Sequence, residues 1–188
     1  MAKLYFYYSS MNAGKSTLLL QHNHNNKEKK IQTLILVPGM ECNNSLISSR
    51  IGISEKAVRI DNDLNLFIYI RNLNIKPQVI LIDEVQFLTK KHIFELIAVV
   101  DILNIDVFAY GLRTDFKSKL FDSSMYLLAY SDKIIEIKSV CKCGAKAIMN
   151  VRIKGNKKIN KGNQIDLDKN KYISCCRYHY YNFNLFDK

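Results

Sequence analysis

Apolar and polar residues fall into short runs along this chain, and the period of those runs switches between that of a strand and that of a helix. An apolar run over residues 4–8 predicts a buried strand. Residues 16–30 suit a helix whose early turns carry Leu18, Leu19 and Leu20 and whose end is very polar. Residues 32–37 read as a second strand, stopped by Pro38 and Gly39. The stretch 42–56 shows no clean period and reads as loop. Leu66, Phe67, Ile70 and Leu73 share one face of a short helix over 64–73, and a buried strand over 79–82 follows Pro77. Residues 90–103 form an amphipathic helix, with further strands expected at 106–110 and 133–138. Strands alternating with helices imply parallel pairing and an α/β sheet. From Ser139 onward the character changes to Cys, Lys, Asn and Tyr, which divides the chain into units 1–138 and 139–188. The lysine-rich segment 154–161, broken by Gly155, Asn156 and Asn160, reads as a solvated loop. No internal repeat is evident.

Composition changes this picture in two places. The 188 residues are 48% hydrophobic with a net charge of +11, which would suit a phosphate backbone. The Lys excess comes with equal excesses of Asn and Ile, however, and these three residues share AT-rich codons. We therefore read the charge as compositional, so nucleic acid is not the expected partner. No apolar run approaches the ~20 residues that cross a bilayer, and a cytoplasmic protein is expected. In that reducing setting five cysteines point away from disulfides. Four of them, Cys141, Cys143, Cys175 and Cys176, crowd into the last quarter and suggest metal.

The chemistry starts at Tyr8-Ser9-Ser10-Met11-Asn12-Ala13-Gly14-Lys15-Ser16, directly after the first strand. It reads as a phosphate-binding loop: inward backbone N–H groups cradle an anion, Lys15 reaches the terminal phosphates and the Ser16 hydroxyl can sit on Mg²⁺. Ser9 stands where the G-x-x-x-x-G-K-[ST] pattern asks for glycine. The strand over 79–82 ends in Asp83 and Glu84, at the edge where an α/β sheet places its chemistry. One carboxylate can orient a Mg²⁺ shell while the other activates a nucleophile, the division of labour that phosphoryl transfer requires.

Cys141-x-Cys143 and Cys176-x-x-His179 are two pairs that can close a tetrahedral Zn²⁺ site. Cys175 competes with Cys176, which leaves the more regular ligand turn before His179. Cys42 stands apart as an ordinary thiol. His22 and His24, in a polar helix end, and His92, beside Lys90 and Lys91, read as solvated. Leu112, Phe116 and Phe121 follow a strand end, where they either line a pocket or pack in the core.

Taken in order, residues 5–16, Asp83-Glu84-Val85-Gln86-Phe87, Gly111-Leu112-Arg113-Thr114-Asp115-Phe116 and the two Cys/His pairs closely resemble the type II thymidine kinases. The chain looks most like the bacterial branch, whose zinc pairs also read C-x-C and C-x-x-H and whose phosphate loop can also carry Ser in place of the first glycine. The resemblance implies a RecA-like P-loop domain followed by a zinc-ribbon domain with a lasso loop. It implies transfer of the γ-phosphoryl group of ATP to the 5′-hydroxyl of thymidine, with Mg²⁺, a structural Zn²⁺ and a homotetramer. Carried over, Glu84 is the general base. Ser9, Ser10, Met11, Asn12, Ala13, Gly14, Lys15, Ser16 and Asp83 hold the nucleotide and its metal. Met11, Phe87, Leu112, Phe116, Phe121 and Tyr172 surround the nucleoside, and Cys141, Cys143, Cys176 and His179 bind zinc.

Two stretches depart from that pattern. The acid-and-Arg element after the second strand is missing from residues 38–44, with Arg50 as a candidate replacement, and Asp166-Leu167-Asp168-Lys169 replaces the lasso glycines. Two alternatives follow: a basic P-loop and zinc-ribbon ATPase acting on nucleic acid, and a decayed nucleoside kinase.

Overall fold

The computed structural model describes residues 1–39, 46–49, 51–155, 157–164 and 171–183. In chain order the strands are β1 (Leu4–Ser9), β2 (Thr33–Pro38), β3 (Leu46–Ser48), β4 (Ser54–Lys56), β5 (Val58–Ile60), β6 (Val79–Ile82), β7 (Asp106–Leu112), β8 (Lys133–Glu136), β9 (Met149–Lys154), β10 (Lys157–Ile159) and β11 (Lys171–Cys175). The helices are α1 (Lys15–Glu28), α2 (Leu66–Arg71), α3 (Lys90–Leu103), α4 (Asp122–Tyr130) and α5 (Arg177–Tyr181).

Six strands form one sheet in the order β5-β2-β6-β7-β1-β8, and every pairing is parallel. Parallel sheets bury both faces, so the central strands read as continuous apolar runs. Alternate residues of β6 serve opposite layers: Ile80 and Ile82 join α2, α3 and α4 through Leu66, Ile70, Ile93, Leu96 and Leu127, whereas Val79 and Leu81 join α1 through Leu19 and Leu20. A second, antiparallel sheet, β10-β9-β11, has its own apolar cluster of Val151, Ile153, Cys175 and Tyr180.

The structure corrects several expectations. The described part of 42–56 holds the antiparallel hairpin β3–β4, and Lys157–Ile159 in the lysine-rich segment is strand β10, paired with β9. His92 is only 1% exposed: its ring closes the capping box of α3 with Thr89, and its Nε2 lies 3.1 Å from the Leu64 carbonyl. His22 is half-buried and hydrogen-bonded to the Tyr110 hydroxyl, so neither is a solvated histidine. Burial lowers the pKa of both rings. His24 is exposed, as expected. Cys42, Arg50 and Asp166-Leu167-Asp168-Lys169 lie outside the described residues. No helix among the described residues is long and apolar enough to cross a membrane.

Candidate active site

Parallel alignment brings the carboxyl ends of β1, β2, β6 and β7 to one edge of the sheet. The loop after β1 turns there through two left-handed residues, Asn12 at φ 61° and Gly14 at φ 83°. Ser9 is the last residue of β1 and has no such φ, so glycine is not required at that position. Its buried hydroxyl donates to the Ser10 carbonyl at 2.8 Å, and the Lys15 ammonium lies 3.3 Å from that hydroxyl. A cavity of about 410 Å³ is lined by the whole turn from Met11 to Thr17, by Ser48 and Ile51 of the β3–β4 hairpin, and by Glu84 and Leu112.

At the end of β6 the two carboxylates take different surroundings. Asp83 is buried, accepts from the Ser16 hydroxyl at 2.6 Å and accepts from the Glu84 N–H at 3.0 Å. Burial and the neighbouring Glu84 push its carboxyl up to about 7, against the opposing pull of Ser16 and Lys15. Glu84 reaches the cavity from a left-handed backbone, φ 48° and ψ 39°, a conformation that costs a non-glycine residue ~1–3 kcal/mol and gathers at functional sites. The 3₁₀ turn Val85–Phe87 follows directly.

The residues expected around the nucleoside separate into groups. Met11 and Leu112 line the cavity with Glu84. Phe87 instead borders a neighbouring space of about 210 Å³ with Pro38, Gly39, Arg59 and Asp61, and meets Phe121 edge-on with ring centroids 6.0 Å apart. Phe116 and Phe121 are buried, and Tyr172 is half-buried on β11.

The second sheet holds this wall through residues that sequence reasoning passed over. Asn150 accepts from the Met11 N–H at 2.8 Å and donates to the Thr114 carbonyl at 3.0 Å. The Ser174 hydroxyl donates to the Met11 carbonyl, and the Tyr180 hydroxyl donates to the Phe116 carbonyl at 2.8 Å. Arg152, 1% exposed, stacks 3.8 Å from the Phe116 ring centroid while donating to the Tyr172 hydroxyl at 2.8 Å and to the Asn163 carbonyl at 3.0 Å. Period-2 alternation along β9 was the available signal: Met149, Val151 and Ile153 fill the small core, so Asn150 and Arg152 must point the other way.

Cys141, Cys143, Cys176 and His179 converge, with their ligand atoms all within 4.8 Å of one another. The Cys143–Cys176 sulfur separation is 3.9 Å, and His179 Nδ1 lies 3.5 and 3.4 Å from the Cys141 and Cys176 sulfurs. Tetrahedral zinc, with Zn–S near 2.3 Å and Zn–N near 2.0 Å, sets edges of ~3.8 Å between sulfurs and ~3.5 Å from sulfur to nitrogen. The donor set therefore fits that ion. Cys175 turns into the small core, where burial pushes its thiol up to about 12.

A family model described as thymidine kinase matches residues 2–180. The thymidine kinase of Zymomonas mobilis is 50% identical over 186 residues, covering 96% of this chain and 96% of its own length. Those of Coxiella burnetii and Legionella pneumophila (strain Paris) are 47% and 46% identical, each over 96% of this chain and over 95% and 90% of their own lengths. With these relatives spanning the phosphate loop, the paired carboxylates and the Cys/His cluster alike, the chain belongs to the thymidine kinase family.

Proposed function

We propose that Glu84 is the general base of this chain, an ATP-dependent kinase that phosphorylates thymidine, and that the 5′-hydroxyl is the acceptor. The 5′-oxygen attacks the γ-phosphorus and the bond from that phosphorus to the β,γ-bridging oxygen breaks. ADP leaves, and the hydroxyl proton passes to Glu84. The observation that carries this reading is that Glu84 and Lys15 line one cavity at the strand ends, with Met11 and Leu112 beside them. Lys15 stabilises the charge of the transferring group, while the backbone N–H groups from Asn12 to Ser16 receive the phosphates. Ser9 and Ser10 support Lys15 from below.

The Ser16 hydroxyl with Asp83 behind it is an oxygen donor set suited to a hard cation, and two adjacent carboxylates leave local negative charge for it to offset. Mg²⁺ held there would neutralise the β- and γ-phosphate oxygens. Zn²⁺ on Cys141, Cys143, Cys176 and His179 would be structural, because four protein ligands leave no open position. By tying α5 to the turn at Cys141, the metal would fix β11 and so Tyr172. Phe87, Phe116, Phe121 and Tyr172 would wall the thymine through the contacts that Arg152 and Phe121 organise. The separate apolar clusters of the two sheets support units 1–138 and 139–188. A cytoplasmic homotetramer completes this reading, on the strength of the family resemblance.

A nucleoside panel with labelled ATP tests the assignment. Thymidine should give its 5′-monophosphate with the highest kcat/KM. ATP turnover that ignores thymidine but responds to nucleic acid would overturn it.

A further inference from the structure

We infer that Gln86 is a positioning residue of this kinase: it anchors the Glu84 carboxylate to the Leu112 backbone and so fixes the base relative to the wall of the same cavity. The inference rests on the reading of Glu84 as the base.

Gln86 is 3% exposed in the turn after β6, and both ends of its amide are committed. Its Nε2 donates to the Glu84 Oε2. Its Oε1 accepts from the Leu112 N–H at 2.9 Å, at the end of the adjacent strand β7. Leu112 is held in turn from the far side, where the buried Ser124 hydroxyl of α4 donates to its carbonyl at 2.6 Å. One rigid path therefore runs from α4 through β7 to the carboxylate.

Two further features show that the chain is shaped around this contact. Gly111, immediately before Leu112, has no room for a side chain: an added Cβ would lie 2.7 Å from Gln86 Oε1 and 2.7 Å from a Val85 methyl. The carboxylate it holds also needs holding, because Glu84 sits in left-handed backbone at φ 48°. A glutamate has three side-chain torsions, and an unanchored one would sample carboxylate positions that miss the acceptor hydroxyl. Misplacement by ~1 Å can cost ~10²-fold in rate. An amide suits the task. It donates a hydrogen bond to the carboxylate but is far too weak an acid to hand over a proton.

The experiment is a double-mutant cycle read in steady-state kinetics with thymidine and ATP. Gln86→Met keeps the length of the side chain and removes both hydrogen bonds. Gln86→Glu keeps the oxygen that accepts from Leu112 and removes only the donor to Glu84. The new carboxyl there either shares one proton with the Glu84 carboxylate or repels it as a second anion, and both remove the aimed base. Each variant should lower kcat by ~10–100-fold with the KM for ATP within about twofold, a split that general loosening of the fold would not produce. In the Glu84→Gln background either substitution should cost less than about twofold more, because no base is left to aim.

Equal factors in both backgrounds would overturn the inference, as would wild-type kcat in Gln86→Glu. If Gln86→Met does not fold, Gln86→Glu carries the cycle alone. Near wild-type turnover in Glu84→Gln itself would instead overturn the assignment of the base, and the inference with it.

Discussion

Arg152→Lys tests how the second sheet supports the wall proposed for the nucleoside. The guanidinium is buried, donates to the Tyr172 hydroxyl and the Asn163 carbonyl among the described residues, and stacks on Phe116. Lysine keeps the charge and can keep one hydrogen bond, but it cannot hold the Tyr172 hydroxyl and the Asn163 carbonyl while lying flat on a ring. The lost charged hydrogen bond is worth ~1.5–3 kcal/mol, and the weakened contact with a desolvated ring adds about 1 kcal/mol. A destabilisation of about 2.5–4 kcal/mol follows, which for a chain of this size lowers Tm by roughly 5–15 °C. The same change releases Tyr172, and an aromatic face on a base contributes ~1–3 kcal/mol. The KM for thymidine should therefore rise by about tenfold while the KM for ATP stays within about twofold. Differential scanning fluorimetry and initial rates with each substrate varied in turn are the assays. A Tm within about 2 °C of wild type together with an unchanged thymidine KM would refute the reasoning.

Two other outcomes are expected. Metal analysis should find one Zn²⁺ per chain, lost in Cys143→Ser and kept in Cys175→Ser, since only the former thiol stands in the cluster; zinc retained by Cys143→Ser would contradict this. Burial lowers the pKa of His22 and His92, so the unfolded chain binds more protons below its ordinary histidine pKa of about 6.5. Stability should fall as pH drops below that value, and the slope should flatten in His22→Gln and His92→Gln but not in His24→Gln, as read by urea midpoints between about pH 5 and pH 8.

The parallel sheet was legible because its strands are short apolar runs between turn residues, and α3 matched its predicted span because its apolar face is long. The phosphate loop and the carboxylates were legible for a different reason, since their chemistry is local in sequence. What escaped notice depends on tertiary partners. β5 is only three residues long, and α4 buries Ser123 and Ser124 where a period search expects apolar residues. β10 is stabilised by pairing with β9, which its lysines do not announce. His92 looked solvated beside two lysines, yet Leu64 supplies a partner from elsewhere in the chain, beside the local N-cap Thr89. Gln86, Asn150 and Arg152 drew no attention because a polar residue declares its role only through what it meets, and each meets a segment at least 20 residues away.

The most direct test of the central claim is the turnover of Glu84→Gln with thymidine and ATP both saturating. The amide keeps the shape of the side chain and the left-handed turn but cannot take the hydroxyl proton. kcat should fall by ~10²–10⁴-fold with the KM for ATP within about twofold. A variant that still makes thymidine 5′-monophosphate at near the wild-type rate would contradict the assignment of Glu84 as the base.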